Sequence, residues 1–217
     1  MILLAALALV AGDPAWIAQP PPALPANMHR TMERYRYFSA CVATRDWRVI
    51  APMFDTPVGS SREGGYLRMA GGERRGTACS YADRMRMTSI LMRGGIAEAR
   101  YRNVYARDAV PAVNGEVAAV PEGASFQWVG FNQESPPREQ FHFANCLAER
   151  ETGLVHAVVM SEYGAPAERI AFQALSRRFG ACLTPGQSFG ANSLTLRPWL
   201  GEALYQRARA RRPDASD

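Results

Sequence analysis

Residues 38–45 read FSACVATR, and residues 143–150 read FANCLAER, 105 positions later. A second pair follows at nearly the same spacing: residues 89–101 read SILMRGGIAEARY and residues 193–205 read SLTLRPWLGEALY, 104 positions apart. Matches that keep the same order and an almost constant offset indicate an internal repeat. We therefore predict that the chain contains two tandem copies of a unit of about 75 residues.

The four cysteines supply a third marker of the repeat. Cys41 and Cys146 lie inside the first matching pair, while Cys79 and Cys182 lie between the two pairs, 103 positions apart. Four cysteines allow three disulfide pairings. A unit that existed before it was duplicated had to satisfy its own cysteines, so we predict Cys41–Cys79 and Cys146–Cys182.

Apolar periodicity predicts helices within each unit. Phe143, Cys146, Leu147 and Arg150 recur at i, i+3, i+4 and i+7, which is one face of a helix. Residues 154–160 are short and apolar, and they fit either a helix or a buried strand. We therefore predict a mainly α fold made of two disulfide-stapled helical units, each disulfide joining the first helix of a unit to the end of its third.

Local signals set several helix boundaries. Ser60 and Glu63 fit a capping box at the start of the third helix of the first unit. The glycine pairs at 64–65 and 71–72 are expected to interrupt that helix, because glycine is a poor helix former. Pro198 is expected to start the last helix, since proline is favoured at the first helical position.

These signals divide the chain into six segments: 1–12, a signal peptide; 13–26, a Pro-rich spacer; 27–107, helical repeat 1; 108–135, an acidic connector; 136–212, helical repeat 2; and 213–217, a tail. We expect the two copies to superpose, with Phe38 over Phe143 and Tyr101 over Tyr205. Three connector aromatics are expected to fill the interface between the copies rather than to line a ligand groove: Phe126, Trp128 and Phe131.

The N-terminus has the character of a secretory signal. Residues 1–11, MILLAALALVA, are too few to cross a bilayer but have the length of a signal h-region. A short buried helix is the alternative. The Pro-rich spacer and the even number of cysteines favour export, so we expect a periplasmic or secreted protein. We predict no transmembrane segment, because no apolar run reaches the roughly 20 residues that a span requires.

Charge is distributed unevenly along the chain. The formal net charge is +5, and all 25 basic residues are Arg. Residues 27–107 carry +8, residues 108–135 carry −4 and residues 136–212 carry +4. Nucleic-acid binding is not favoured, because its binders usually mix Lys with Arg and the arginines form no single run. Binding to an anionic polymer stays an open alternative.

The sequence carries no known catalytic motif. It has no glycine-rich nucleotide loop, no hydrolase nucleophile elbow and no zinc-protease motif, and its three histidines are not at metal-ligand spacing from cysteine. We therefore predict no catalytic residue, no metal and no cofactor. Arg93 recurs as Arg197 and Glu98 as Glu202, and we favour structural ion pairs over an acid/base pair. For His156, a core role is favoured over a base.

The paired pattern, F-x-x-C-[VL]-A-x-R followed by R-x-x-[IL]-x-E-A-x-Y, resembles a group of uncharacterised predicted secreted proteins of GC-rich bacteria. The resemblance covers both copies, and it implies export and a Cys-containing helical unit without implying any chemistry. The favoured hypothesis is a non-enzymatic scaffold or binding protein of the bacterial envelope. Its partner would be an envelope protein or an anionic envelope component. The alternative is a small exported enzyme, hydrolase-like, with a cleft between the repeats.

Overall fold

The computed structural model describes residues 26–58, 60–70, 79, 89–106, 137–183 and 193–211. Over these ranges the secondary structure is helical and contains no strand, which confirms the mainly α prediction. Eight α-helices lie in the described ranges: α1 Ala26–Arg45, α2 Trp47–Ile50, α3 Ser61–Ala70, α4 Ser89–Arg100, α5 Pro137–Arg150, α6 Thr152–Met160, α7 Pro166–Ser176 and α8 Ser193–Arg211.

Short non-α turns extend three of these helices. A 3-10 turn, Ala51–Asp55, follows α2, and a second, Phe179–Cys182, follows α7. A π-helical turn, Tyr101–Tyr105, continues α4. Residues 154–160 lie within α6, so the ambiguity between helix and strand resolves to helix. None of the helices described is both long and apolar enough to cross a membrane.

The helices α4 and α8 pack against each other at the centre, with α1 against α4 and α5 against α8. Glycine makes the central contact close. A Cβ added at Gly94 would lie 2.5 Å from the Cβ of Pro198, and one added at Gly201 would lie 2.8 Å from the Cβ of Glu98. Both helices therefore need a residue without a side chain where they meet.

The predicted start of the last helix is wrong. Helix α8 begins at Ser193, and Pro198 lies inside it. Proline within a helix removes a backbone hydrogen bond and costs about 3 kcal/mol. Tertiary packing outweighs this local cost, because Leu196 and Arg197, on the N-terminal side of Pro198, are completely buried.

The start of α3 agrees with the sequence, but its interior does not. The backbone N–H of Glu63 donates to Oγ of Ser60 at 3.2 Å, which is the first half of the predicted capping box. The glycine pair at 64–65 does not interrupt α3, which continues to Ala70. The helix persists because Leu67 and Ala70 are buried, so packing again outweighs propensity. The second glycine pair and the connector aromatics lie outside the described residues.

The two disulfides are Cys41–Cys79 and Cys146–Cys182, which is the predicted pairing. They close loops with sequence separations of 38 and 36 residues. Cys41 of α1 is bonded to Cys79, which follows α3, and Cys146 of α5 is bonded to Cys182, which follows α7. The two staples therefore hold the outer helices while α4 and α8 form the centre.

Candidate functional site

Arg93 of α4 is buried and fully engaged. Its Nε donates to Oε1 of Glu202 at 2.7 Å, and its Nη2 lies 2.7 Å from the same oxygen. Its Nη1 donates to the carbonyl oxygens of Met53 and Thr56 at 3.1 and 3.0 Å. Glu63 adds a second carboxylate at 3.6 Å. One guanidinium thus joins α8, α3 and the turn after α2.

Arg197 of α8 is buried among a comparable set of partners. Its Nη2 donates to Oε1 of Glu98 at 2.7 Å, and its Nη1 donates to Oε1 of Glu168 at 2.8 Å. Nη2 also donates to the carbonyl oxygens of Val159 and Ser161, at 2.9 and 2.7 Å. Burial alone would lower the pKa of Arg197, but the charge of Glu98 and the hydrogen bonds to both carboxylates raise it above its usual value.

The two arginines form reciprocal ion pairs across the central helices. The arginine of α4 binds the glutamate of α8, and the arginine of α8 binds the glutamate of α4. Each arginine also has a second carboxylate, Glu63 or Glu168, and these stand 105 positions apart. Self-complementary contacts of this kind are typical of an interface between two equivalent units. The four residues Arg93, Glu98, Arg197 and Glu202 are thus brought together by the fold.

The predicted core histidine lies beside one of the central tyrosines. Nδ1 of His156 is 2.8 Å from the hydroxyl oxygen of Tyr101. Burial lowers the pKa of His156, and burial raises the pKa of Tyr101 to about 12. His156 is therefore neutral at pH 7, and its ring serves as a hydrogen-bond partner within the fold.

The second central tyrosine lacks such a partner. Tyr205 is fully buried, and its hydroxyl makes no hydrogen bond to any residue that the structure describes. The position that lies 105 residues before His156 is Ala51, whose side chain offers no nitrogen to accept or donate. The ring itself is packed against Phe54, Trp47 and Tyr105, with centroid distances of 4.8, 5.6 and 6.1 Å.

An open groove of about 470 Å³ lies between α1 and α4. Its polar lining includes Arg36 and Arg102, which converge on the carboxylate of Glu162 in the loop after α6. Nη2 of Arg36 donates to Oε1 of Glu162 at 2.9 Å, its Nη1 contacts the other oxygen, and Nη2 of Arg102 donates at 3.2 Å. Glu98 and Tyr163 are buried in the lining, where the Tyr163 hydroxyl donates to Oε2 of Glu98 at 3.1 Å.

The sequence reasoning did not find this groove. It selected residues that recur in both copies, whereas Arg36 and Arg102 do not recur. At offsets of 105 and 104 the chain has Phe141 and Gln206 instead. The usable signal was therefore a departure from the predicted repeat: an arginine at a position whose counterpart at the repeat offset is uncharged.

The chain matches no family model, no curated protein and no solved structure. Within the ranges that the structure describes, no three His, Cys, Asp or Glu side chains are grouped so that they could hold a metal ion. Any functional conclusion therefore depends on the geometry of the ion pairs and the groove.

Proposed function

We propose that this protein is a non-enzymatic, exported scaffold or binding protein of the bacterial envelope. The observation that carries the proposal is the burial and mutual pairing of the four recurring charged residues. Arg93, Glu98, Arg197 and Glu202 are each at most 4% exposed, and they are bound to one another. Charges held in this way join helices together and are not presented to a substrate.

The same contacts support an architecture of two tandem copies of a disulfide-stapled helical unit. The described helices form two series, α1 to α4 and α5 to α8, and each series runs in the order long, short, medium and long. Helix α4 is the one exception taken alone, and it reaches the length of a long helix only together with the π-helical turn that follows it. The partners of the two arginines recur at offsets of 104 to 106 positions, including the backbone carbonyls that they bind. The disulfides recur at a similar offset. A duplicated unit that packs against its own copy accounts for all of these correspondences.

Two features support export to the periplasm or the medium. Disulfides persist in oxidising compartments and are rare in the bacterial cytosol, and this chain forms two of them. The apolar residues 1–11 have the length of a signal h-region. A partner in that compartment would be an envelope protein or an anionic envelope component.

The enzyme alternative makes a different demand on the same residues. A hydrolase-like cleft between the copies would need Glu202, Arg197 or His156 to face a substrate. Arg197 is 0% and Glu202 2% exposed, and His156 is bonded to Tyr101. The binding proposal is therefore the better supported of the two.

A pair of variants separates a structural ion pair from a catalytic one. Arg93→Met leaves the Glu202 carboxylate buried without its main partner, so we expect a loss of about 3–5 kcal/mol in the free energy of unfolding. Adding Glu202→Leu removes one of the two carboxylate charges that Arg93 balances and should restore part of the stability, with Glu63 still buried. Urea unfolding under non-reducing conditions measures both effects.

Function is then assayed on the partly restored double variant. The tagged full chain is expressed in its native host, cross-linked in the envelope fraction and compared with the double variant. We expect both chains to be exported, to contain no free thiol, and to form the same saturable complex with one envelope component. Hydrolysis of fluorogenic ester or peptide substrates by the wild type, lost in Glu202→Gln, would contradict the proposal. So would a cytosolic chain with free thiols.

A further inference from the structure

Two residues that line the groove between α1 and α4 differ in character from their counterparts in α5 and α8 at the repeat offset. Gly95 lines the groove, and the residue 104 positions later is Trp199. Trp199 is 4% exposed, and its ring packs edge-on against Phe141 at a centroid distance of 6.1 Å. Phe141 stands 105 positions after Arg36. Two large apolar side chains thus occupy the α5–α8 contact at positions where α1 and α4 carry an arginine and a glycine, and the Tyr35 ring of α1 occupies the space over Gly95.

The lining of the groove is charged and preorganised. Arg36 and Arg102 are 31% and 19% exposed, and they share the carboxylate of Glu162, which is 61% exposed. Behind them, Glu98 is held by Arg197 and by the Tyr163 hydroxyl. A groove with a fixed floor and two guanidinium groups at its rim loses little entropy when it receives an anion.

Two further groups in the groove have the right chemistry for a ligand. Ser39 lines the groove, its hydroxyl oxygen is buried, and that oxygen makes no hydrogen bond within the described protein. Buried hydroxyls normally have a hydrogen-bond partner, so a polar ligand atom at this point would supply the one that the Ser39 hydroxyl lacks within the described protein. Tyr37 lines the rim and is 67% exposed, which offers an aromatic surface to the apolar part of a ligand.

We propose that this groove binds a small molecule that carries a carboxylate group. The ligand carboxylate would take the place of the Glu162 side chain on Arg36 and Arg102, and its apolar body would lie along Tyr37. Guanidinium groups bind carboxylates in a planar, two-bond geometry, which Arg36 already makes with Glu162. A volume of about 470 Å³ is within the range of small-molecule sites. The inference rests on the proposed binding function and names the ligand class of one site.

Binding is tested on the full chain with both disulfides formed, by titration monitored through the NMR shifts of backbone amides. The probe is benzoate, which combines a carboxylate with an aromatic body, and benzamide is the uncharged control of the same shape. We expect saturable shifts at Ser39 and Asn103 with benzoate, and binding of benzamide weaker by at least about tenfold. Inorganic phosphate is the second control, and phosphate that binds more tightly than benzoate overturns the carboxylate assignment.

Substitutions at the groove should shift affinity in opposite directions. Arg36→Gln removes one two-bond contact, so benzoate affinity should fall by at least about tenfold. Glu162→Gln removes the competing carboxylate of the chain itself, so affinity should rise by about two- to fivefold. A gain of affinity on removal of Glu162 is not expected from a purely structural ion pair.

The chain offers a matched control pair at a distance. Arg209 donates to Asp55 through two bonds of 2.8 and 3.2 Å, and the two side chains are 28% and 60% exposed. Arg209→Gln and Asp55→Asn change the net charge by the same amounts and should leave benzoate affinity unchanged. Equal effects of the two pairs, or no saturable shift with benzoate, overturn the site. If the wild-type chain forms the envelope complex while benzoate fails to bind it, only this inference is wrong and the proposed function stands.

Discussion

The two central tyrosines predict opposite responses to the same substitution. Tyr205 has a buried hydroxyl without a hydrogen bond in the described part of the chain, whereas the hydroxyl of Tyr101 is 2.8 Å from Nδ1 of His156. Replacing either tyrosine by phenylalanine removes one oxygen and keeps the ring. Because the two positions belong to matching segments of sequence, each variant is the control for the other.

The magnitudes follow from the hydrogen-bond balance at each site. Tyr205→Phe removes an unsatisfied buried group, whose penalty is about 1–3 kcal/mol, and its ring keeps the packing against Phe54 and Trp47. After allowance for a small void we expect a gain of about 1 kcal/mol in the free energy of unfolding, or a rise in Tm of about 2–4 °C. Tyr101→Phe breaks a formed bond and should cost about 0.5–1.5 kcal/mol.

Urea unfolding of the oxidised protein, followed by tryptophan fluorescence and circular dichroism, measures both variants. The slope of free energy against urea should not change, so the midpoints report stability directly. The reasoning predicts that Tyr205→Phe lies above the wild type and Tyr101→Phe below it. If both variants lose stability by the same amount, the assignment of Tyr205 as unsatisfied is refuted.

Three further predictions concern the disulfides, the central contact and pH. Replacing Cys146 and Cys182 together by serine should cost about 4 kcal/mol and lower Tm, measured by calorimetry against the oxidised wild type. Gly94→Ala should destabilise the fold by roughly 1–3 kcal/mol, because the new Cβ would lie 2.5 Å from Pro198. Gly153→Ala is the control, because a Cβ there has nothing within 4 Å, and it should stabilise the fold by about 0.5–1 kcal/mol in the same urea assay. Burial lowers the pKa of His156, so the unfolded chain takes up a proton at a higher pH than the folded chain does. The free energy of unfolding should therefore fall as the pH drops below about 6.5, until the pKa of the folded state is passed. His156→Gln should flatten that fall, as measured between pH 7.5 and 5.

The mainly helical fold could be predicted because it depends on the short-range pattern of apolar residues. The disulfide pairing could be predicted because each unit of the expected repeat has to pair its own two cysteines. Phe143, Cys146 and Leu147 mark one helix face without any knowledge of the partner helix. Pairing each cysteine within its own unit needed only the order of the markers. Neither inference required the three-dimensional placement of the two units.

The partners of the recurring charges were only half predictable. Arg93 and Glu98 are five residues apart, a spacing that turns about 140° around a helix, so they do not face each other. That geometry excludes a pair within one helix, but it does not show that Arg93 reaches Glu202 in α8. The crossing depends on how closely α4 and α8 approach, which glycine allows and sequence spacing does not reveal.

Pro198 and the groove escaped prediction for a common reason. Rules about single residues assume that local preference decides, whereas the packing of α8 overrides the preference of Pro198 for a helix start. The groove is lined by residues that do not recur at the predicted repeat offset, such as Arg36 and Arg102. Recurrence at the predicted offset therefore does not mark these residues.

The reciprocal ion pairs also constrain the order in which a newly made chain can reach its final state. Arg93 and Glu202 are 109 residues apart, and Glu98 and Arg197 are 99 apart, so neither pair can close before the first part of α8 has been delivered. A guanidinium without its carboxylate is strongly disfavoured in an apolar interior, which keeps α4 from settling early. Cys41 and Cys79, by contrast, are only 38 residues apart and can meet while the rest of the chain is still arriving. Oxidation of the first loop therefore does not require closure of the centre, and a chain that is cut short before α8 retains both cysteines of the first disulfide but lacks Arg197 and Glu202, the partners of its central charges.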